Sequence, residues 1–194
     1  MVGGAIVFMF DEWWRRYYHE RLGKRAHTFR GALEEARPCP NIIETGVQRT
    51  AHGWVGDGCS TRVLAHFVEQ FGGRLWGVDN DIDSINAART AIRDKPATLV
   101  HSDSVEFLEG FTERIDLLYL DSYDYDSHKP GPSQEHHLRE AQAAIKHLAP
   151  DAVVLIDDCD LPGGGKGGLV IPYLESHGFH FLSEAYQVLM RRNP

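Results

Sequence analysis

The feature that most constrains this chain is a short apolar run that ends in an acid and a glycine. Residues 41–46 read Asn-Ile-Ile-Glu-Thr-Gly, and a second glycine cluster at 56–61 opens a segment with helical spacing. This order is typical of a strand that enters a glycine-rich turn and then a helix. Glycine allows a ligand to approach the backbone closely, and the first turn of a helix offers unpaired N–H groups. The pattern therefore predicts a ligand site at the end of the first strand.

Beyond that point, strand and helix patterns alternate. Strands are predicted at 41–45, 74–79, 97–101, 115–121 and 152–157, and helices at 59–71, 82–94, 104–110, 133–148 and 168–176. This alternation is typical of βαβ units with right-handed crossovers around a parallel sheet. The tail differs, because the apolar segments 179–182 and 186–190 are separated by only a short polar turn. They predict a C-terminal antiparallel hairpin.

The first 40 residues form a separate, aromatic-rich segment. A helical pattern runs from Val2 to Arg37 and is followed by Pro-Cys-Pro at 38–40. We expect residues 1–40 to be a helical extension that serves as a lid or a dimer face, or that simply packs on the core. Residues 41–194 are expected to form the ligand-binding domain.

Composition excludes several classes of partner. The formal net charge is −8 and no basic stripe occurs, which argues against a nucleic-acid partner. The longest apolar stretch is too short to span a bilayer, so no membrane partner is expected, and no signal peptide is recognised. Cys39, Cys59 and Cys159 are odd in number and contain no Cys-x-x-Cys pair, which indicates a reducing, cytoplasmic location.

Four short motifs follow one another along the chain. They contain Glu44, Gly46, Gly58, Ser60 and Thr61 in the first motif, Asp79 and Asn80 in the second, Asp103 and Ser104 in the third, and Asp121 at the end of the fourth strand. In this order they resemble the motifs of the class I S-adenosylmethionine (SAM)-dependent methyltransferases. That resemblance implies a Rossmann-like α/β fold, with a seven-stranded, mostly parallel sheet that ends in an antiparallel hairpin and carries helices on both faces. This chain departs from the compact first motif by inserting residues 47–57.

The resemblance assigns a role to each motif. The first cradles the methionine moiety, Asp79 binds the ribose hydroxyls, Asp103 and Ser104 contact adenine, and Asp121 lies at the reaction centre. Asp79 and Asp103 also have an alternative role, since either could cap the helix that follows it. Glu44 ends an apolar strand, where a bare carboxylate is costly, and the sulfonium and amino groups of SAM would compensate its charge.

Asp121, Asp157 and Asp158 form a second constellation. The fourth and fifth strands are neighbours in this fold, so these acids converge at the ligand crevice and repel one another unless a cation intervenes. Oxygen-only ligands suit Mg²⁺. The pattern resembles the metal-dependent O-methyltransferases of the catechol and macrolide-sugar types, while the alternative is that the acids only begin a polar loop. The glycine run around Lys166 lacks the Walker pattern and is expected to be a flexible loop.

The proton acceptor is the least defined part of the prediction. Catechol-type relatives carry a lysine three residues after the metal-binding acid, but Asp124 stands at that position here. His128, in the loop after the fourth strand, and His136, in the first turn of the next helix, are the candidates for the base. We expect the helix dipole to lower the pKa of His136. The alternative is that both histidines are only solvated polar residues.

The sequence thus predicts a cytoplasmic SAM-dependent methyltransferase that methylates a hydroxyl of a small molecule with the help of a divalent cation such as Mg²⁺. The alternatives are metal-independent transfer to another acceptor atom, a Rossmann-type NAD-dependent oxidoreductase, and a regulatory protein that binds the cofactor without turnover. The oxidoreductase is disfavoured because a third glycine is missing at the usual position after Gly58.

Overall fold

The computed structural model describes residues 2–36 and 38–193, and for residues 2–7 the main chain only. In this part of the chain the strands are β1 (Asn41–Thr45), β2 (Arg74–Asp79), β3 (Thr98–His101), β4 (Ile115–Leu120), β5 (Leu148–Ile156), β6 (Phe179–Glu184) and β7 (Val188–Arg192). The helices are α1 (Val2–Tyr17), α2 (Ala26–Glu35), α3 (Ser60–Phe71), α4 (Ile82–Ile92), α5 (Ser104–Gly110), α6 (Gly131–Ala144) and α7 (Gly167–Ser176).

All seven strands form one sheet in the order β3-β2-β1-β4-β5-β7-β6. Strands β1 to β5 pair in parallel, and β7 pairs antiparallel with both β5 and β6. This confirms the predicted Rossmann-like fold with its C-terminal hairpin. The strand order reverses between β1 and β4, and ligands of such sheets bind in the crevice outside the carboxyl ends of the strands at that point.

The main differences from the predicted boundaries occur at two places, and the other element ends shift by a few residues. The N-terminal helical segment is broken between α1 and α2, where Gly23 adopts a φ of 52° and begins a short 3₁₀ turn. Its predicted end, Arg37, lies outside the described residues. Helix α6 ends at Ala144 rather than 148, because Leu148 already pairs with Ile115 and begins β5.

The sheet is covered on both faces. On one face, aromatic side chains of α1 and α2, including Phe10, Trp14 and Phe29, are fully buried in the same cluster as Ile42 of β1 and Leu117 of β4. Burial of a phenylalanine of this kind contributes about 1.5–3 kcal/mol. Helices α5, α6 and α7 cover the opposite face. The N-terminal segment is therefore part of the core, and its role as a lid or a dimer face stays a prediction.

No helix of the described residues is both long enough and apolar enough to cross a membrane.

Candidate functional site

A cleft runs along the carboxyl edge of the sheet and consists of two adjoining cavities. Both are lined by Gly46, Asp79, Asn80 and Ser122. The larger, of ≈ 250 Å³, continues to Asp121, Asp158 and Lys166, whereas the smaller is completed by Val78, Asp103, Ser104, Tyr123 and His136. The cleft therefore joins the ends of β1, β2, β3, β4 and β5.

Gly46 allows two chain segments to meet at the middle of this cleft. It adopts a φ of 79°, and a Cβ at this position would lie 2.5 Å from the main-chain oxygen of Asp121 and 2.6 Å from Cα of Ser122. The Asp121 N–H donates to the Thr45 carbonyl oxygen at 3.0 Å. Any other residue at Gly46 would push the ends of β1 and β4 apart.

Asp79 lies where the two cavities meet. Its carboxylate accepts hydrogen bonds from the backbone N–H groups of Val47 at 3.1 Å and Asp81 at 2.8 Å. The N-terminus of α4 is capped by Asp81, which accepts from Asp83 and Ser84. Burial raises the pKa of Asp79. Asp79 is therefore not the helix cap, and its carboxylate is held in place at the cleft.

Glu44 is a buried carboxylate without a compensating charge. Its side chain is fully buried, and among the described residues neither carboxylate oxygen has a hydrogen-bond partner. Burial raises the pKa of Glu44 to about 8, although the nearby hydroxyls of Ser60 and Thr61 oppose this rise. Ser60 also lines the larger cavity. An unpaired acid in this position fits a ligand with a cationic group, as SAM has.

The remaining residues of the first motif have structural partners. The Thr61 hydroxyl accepts from the backbone N–H of Gln48 at 2.9 Å and so holds the start of the inserted segment 47–57. Gly58 adopts a φ of 74°, and a Cβ there would lie 3.2 Å from Nε of Arg25. The insertion is thus folded against α3, and Gly58 leaves room for an arginine from the N-terminal segment.

The smaller cavity collects the residues of the third motif. Asp103 caps α5 by accepting from the N–H groups of Val105 and Glu106, so the capping alternative applies to this acid. The Ser104 hydroxyl lies 3.0 Å from Nε2 of His136. Asp103 still lines the cavity, beside Ser104 and His136.

The two candidate histidines differ in their position relative to the cleft, because only His136 lines the smaller cavity. Glu140 raises the pKa of His136, with its carboxylate oxygen 3.3 Å from Nε2, so the expected lowering is wrong. The physical reason is that α6 begins at Gly131, which puts His136 beyond the first turn, where the dipole effect fades. His128 is exposed, donates its backbone N–H to Asp126, and lines neither cavity.

The three acids do converge at the end of the larger cavity. Asp121, Asp157 and Asp158 each offer a carboxylate oxygen, and these oxygens lie within 4.8 Å of one another. Asp157 is fully buried. Burial and the charge of Asp157 raise the pKa of Asp121, and Lys166 opposes that rise. A cation, or protonation of one of the acids, stabilises such a cluster.

Two cations of the chain itself meet this requirement. The buried Lys166 ammonium contacts the carboxylate of Asp121 and lies 3.2 Å from that of Asp158. The Arg25 guanidinium lies 2.8 Å from the Asp157 carboxylate and donates to the Tyr186 hydroxyl at 2.9 Å. Burial raises the pKa of Asp158, but the charge of Lys166 and the Tyr186 hydroxyl lower it by more. The pKa of Asp158 therefore lies below its ordinary value.

The position of Lys166 decides whether the predicted metal ion can bind to these acids. A divalent cation bound by Asp121 and Asp158 would need their oxygens at about 2.0–2.1 Å, in the space that the Lys166 ammonium fills. The donor set as it lies does not fit a metal ion. Lys166 could not be found from the sequence, because its glycine run indicates only a loop. Arg25 could not be found either, because nothing near that residue points to Asp157, which is 132 positions away.

The fold and the cleft at its switch point together define a class I SAM-dependent methyltransferase. A family model named Methyltransf_24 and described as "Methyltransferase domain" matches residues 55–159, which is more than half of the chain. The chain therefore belongs to this family of methyltransferase domains. A comparison with curated proteins finds no match.

Several solved structures share the fold of this chain at low sequence identity. The O-methyltransferase NovP superposes with a TM-score of 0.65 at 12% identity, over 88% of this chain and 80% of NovP. NSun6 from Pyrococcus horikoshii with SFG gives 0.66 at 13% identity, over 87% and 52%. The T. thermophilus 16S rRNA N2 G1207 methyltransferase RsmC, in complex with AdoMet and guanosine, gives 0.53 at 16% identity, over 93% and 41%.

Proposed function

We propose that this protein transfers a methyl group from SAM to a hydroxyl group of a small polar molecule. The observation that carries the proposal is that the acid–ammonium cluster of Asp121, Asp158 and Lys166 opens into the same cavity as Gly46 and Asp79. A site for a hydroxyl acceptor thus adjoins the site for the cofactor.

The residues along the cleft could hold SAM in the following way. Ser104 and His136 in the smaller cavity would hold adenine, and Asp79 would bond to the ribose hydroxyls. Gly46 would leave room for the amino-acid part, and Glu44 would compensate its positive charge. SAM, when bound, supplies an electrophilic methyl group on a sulfonium centre.

The chain's own groups would hold the acceptor and take its proton. The Lys166 ammonium donates to the acceptor oxygen, while Asp121 accepts the hydroxyl proton as that oxygen attacks the methyl carbon. A C–O bond forms and the C–S bond breaks, with its electron pair remaining on sulfur. Asp121 suits this role because its carboxylate lines the larger cavity and contacts Lys166. A role for His128 or His136 as the base stays a hypothesis.

The charge of the cleft supports a small acceptor over a nucleic acid. Six acids line the larger cavity, namely Asp57, Asp79, Asp81, Asp121, Asp124 and Asp158, against three cations, Arg25, Arg49 and Lys166. Together with the net charge of −8, this excess of acids disfavours a phosphodiester backbone. The same acids support a polar, hydroxylated acceptor, since few apolar groups are available to bind an aromatic one.

Methyl transfer from isotope-labelled SAM tests the proposal. The acceptor panel contains sugars, a catechol and a short RNA, each with and without EDTA. We expect labelled product from a hydroxylated small molecule. In Asp121→Asn, kcat/KM should fall about 10²-fold or more, whereas Asp126→Asn, an exposed acid of the same loop, should retain wild-type turnover. Transfer to RNA alone would contradict the small-molecule assignment, and loss of turnover in EDTA would favour the metal-assisted reaction.

A further inference from the structure

The three carboxylates at the end of the cleft are compensated within the chain itself. Arg25 pairs with Asp157, and Lys166 contacts both Asp121 and Asp158. The Lys166 side chain is only 2% exposed. A buried lysine is costly to desolvate, so its position between two carboxylates shows that the surrounding structure is arranged to hold it.

The loop that carries Lys166 is held in a defined shape. Gly163, Gly164 and Gly165 all have positive φ values, of 71°, 83° and 53°. The Gln134 side-chain amide donates to the carbonyl oxygens of Gly163 and Gly165, both at 2.9 Å. The Lys166 N–H donates to the Asp158 carbonyl oxygen at 3.2 Å. The loop expected to be flexible is therefore fixed by hydrogen bonds at both ends of its glycine run.

One glycine makes this placement possible. A Cβ at Gly165 would lie 1.6 Å from the carbonyl oxygen of Asp158, whereas one at Gly164 would meet nothing within 4 Å. The close approach at Gly165 brings Lys166 directly beside the acids. Gly164 shares the positive φ without the contact, so it provides a matched control.

We infer that Lys166 replaces the divalent cation suggested by the three acids, so that methyl transfer proceeds without a metal. The inference rests on the proposed function. An ammonium has three N–H donors, of which one donates to the Asp121 carboxylate, while the Asp158 carboxylate lies within ion-pairing distance. Lys166 Nζ also lies 3.5 Å from the Asp121 carbonyl oxygen, a weak contact that the oxygen of an acceptor can replace. Lys166 thereby binds the acceptor hydroxyl and stabilises negative charge on its oxygen.

Binding of Mn²⁺, used as a probe for divalent cations, tests the inference independently of turnover. Calorimetry on the wild-type protein should detect no Mn²⁺ binding at millimolar concentrations, and turnover should be unchanged by EDTA. Lys166→Ala should gain Mn²⁺ binding and lose about 100-fold or more in kcat/KM, while SAM binding is retained. Lys146→Ala, which removes an exposed lysine, should behave as wild type.

A second pair of variants tests the placement of Lys166. Gly165→Ala should reproduce the loss of turnover seen in Lys166→Ala, and Gly164→Ala should retain most of its activity. Tight Mn²⁺ binding by the wild type with loss of turnover in EDTA would overturn the inference, and so would wild-type kcat/KM in Lys166→Ala. SAM titrations of the same samples separate the two proposals, since absence of SAM binding would refute the proposed function instead.

Discussion

At the scale of single residues, Glu44 is the group whose environment is most unusual for its chemistry. A carboxylate at the end of β1 is fully buried and has no hydrogen-bond partner among the described residues. A fold tolerates such a group when a ligand compensates it, because the desolvation cost is then recovered on binding. Glu44 thus links the stability of the free protein to the charge of its cofactor.

This environment predicts a pH dependence of stability. Burial raises the pKa of Glu44 from 4.5 to about 8 in the folded protein. Between these values the folded state holds a proton that the unfolded state releases, so the free energy of unfolding falls as pH rises, by at most about 1.4 kcal/mol per pH unit. Urea unfolding of the wild type and of Glu44→Gln at pH 5 to 8 measures this contribution.

In Glu44→Gln the free energy of unfolding should fall less steeply as pH rises, because the amide does not ionise. Glu175→Gln, which changes an exposed glutamate, should keep the wild-type slope. Equal slopes for all three proteins would contradict the assignment of a raised pKa to Glu44.

Prediction from sequence succeeded where the signal is local. The acids at strand ends were found because each follows an apolar run, and parallel strands bring their carboxyl ends to one edge. The sequence does not decide whether Asp79 caps α4, and the fold shows that Asp81 makes this cap. The pKa of His136 could not be derived, since it depends on Glu140 and on where α6 begins.

At the scale of elements, the N-terminal segment is joined to the site by one buried ion pair. Arg25 lies in the turn between α1 and α2 and pairs with Asp157, which directly follows β5. No local pattern in the sequence connects these residues. The same segment also packs its aromatic side chains against the sheet. Helices α1 and α2 therefore complete both the core and the candidate site.

Removal of the guanidinium should be strongly destabilising. Arg25→Ala leaves the buried Asp157 without its partner, which costs about 3–5 kcal/mol. Arg30→Ala removes a cation of the neighbouring helix whose pairs with Asp11 and Glu34 are half-exposed, and it should cost about 1 kcal/mol or less. Urea unfolding at neutral pH compares the two. Similar losses for both variants would show that the Arg25–Asp157 pair does not anchor the segment.

At the scale of the whole molecule, the chain combines a mostly parallel sheet with an acid–lysine cluster at one end of its cleft. The strand order and the hairpin follow from the alternation of patterns, which is why the sequence predicts the fold well. The contact of Lys166 with the acids does not follow from this alternation. Lys166 reaches the carboxylates only because of the shape of its glycine loop. Loop geometry of this kind depends on contacts between distant parts of the chain.

The central claim is that the cleft binds SAM, and calorimetry tests it most directly. The wild-type protein should bind SAM and its demethylated product, and should bind NAD far more weakly. Asp79→Ala should weaken SAM binding by about 1–3 kcal/mol, since the ribose hydroxyls lose a buried partner. Tighter binding of NAD than of SAM would contradict the account.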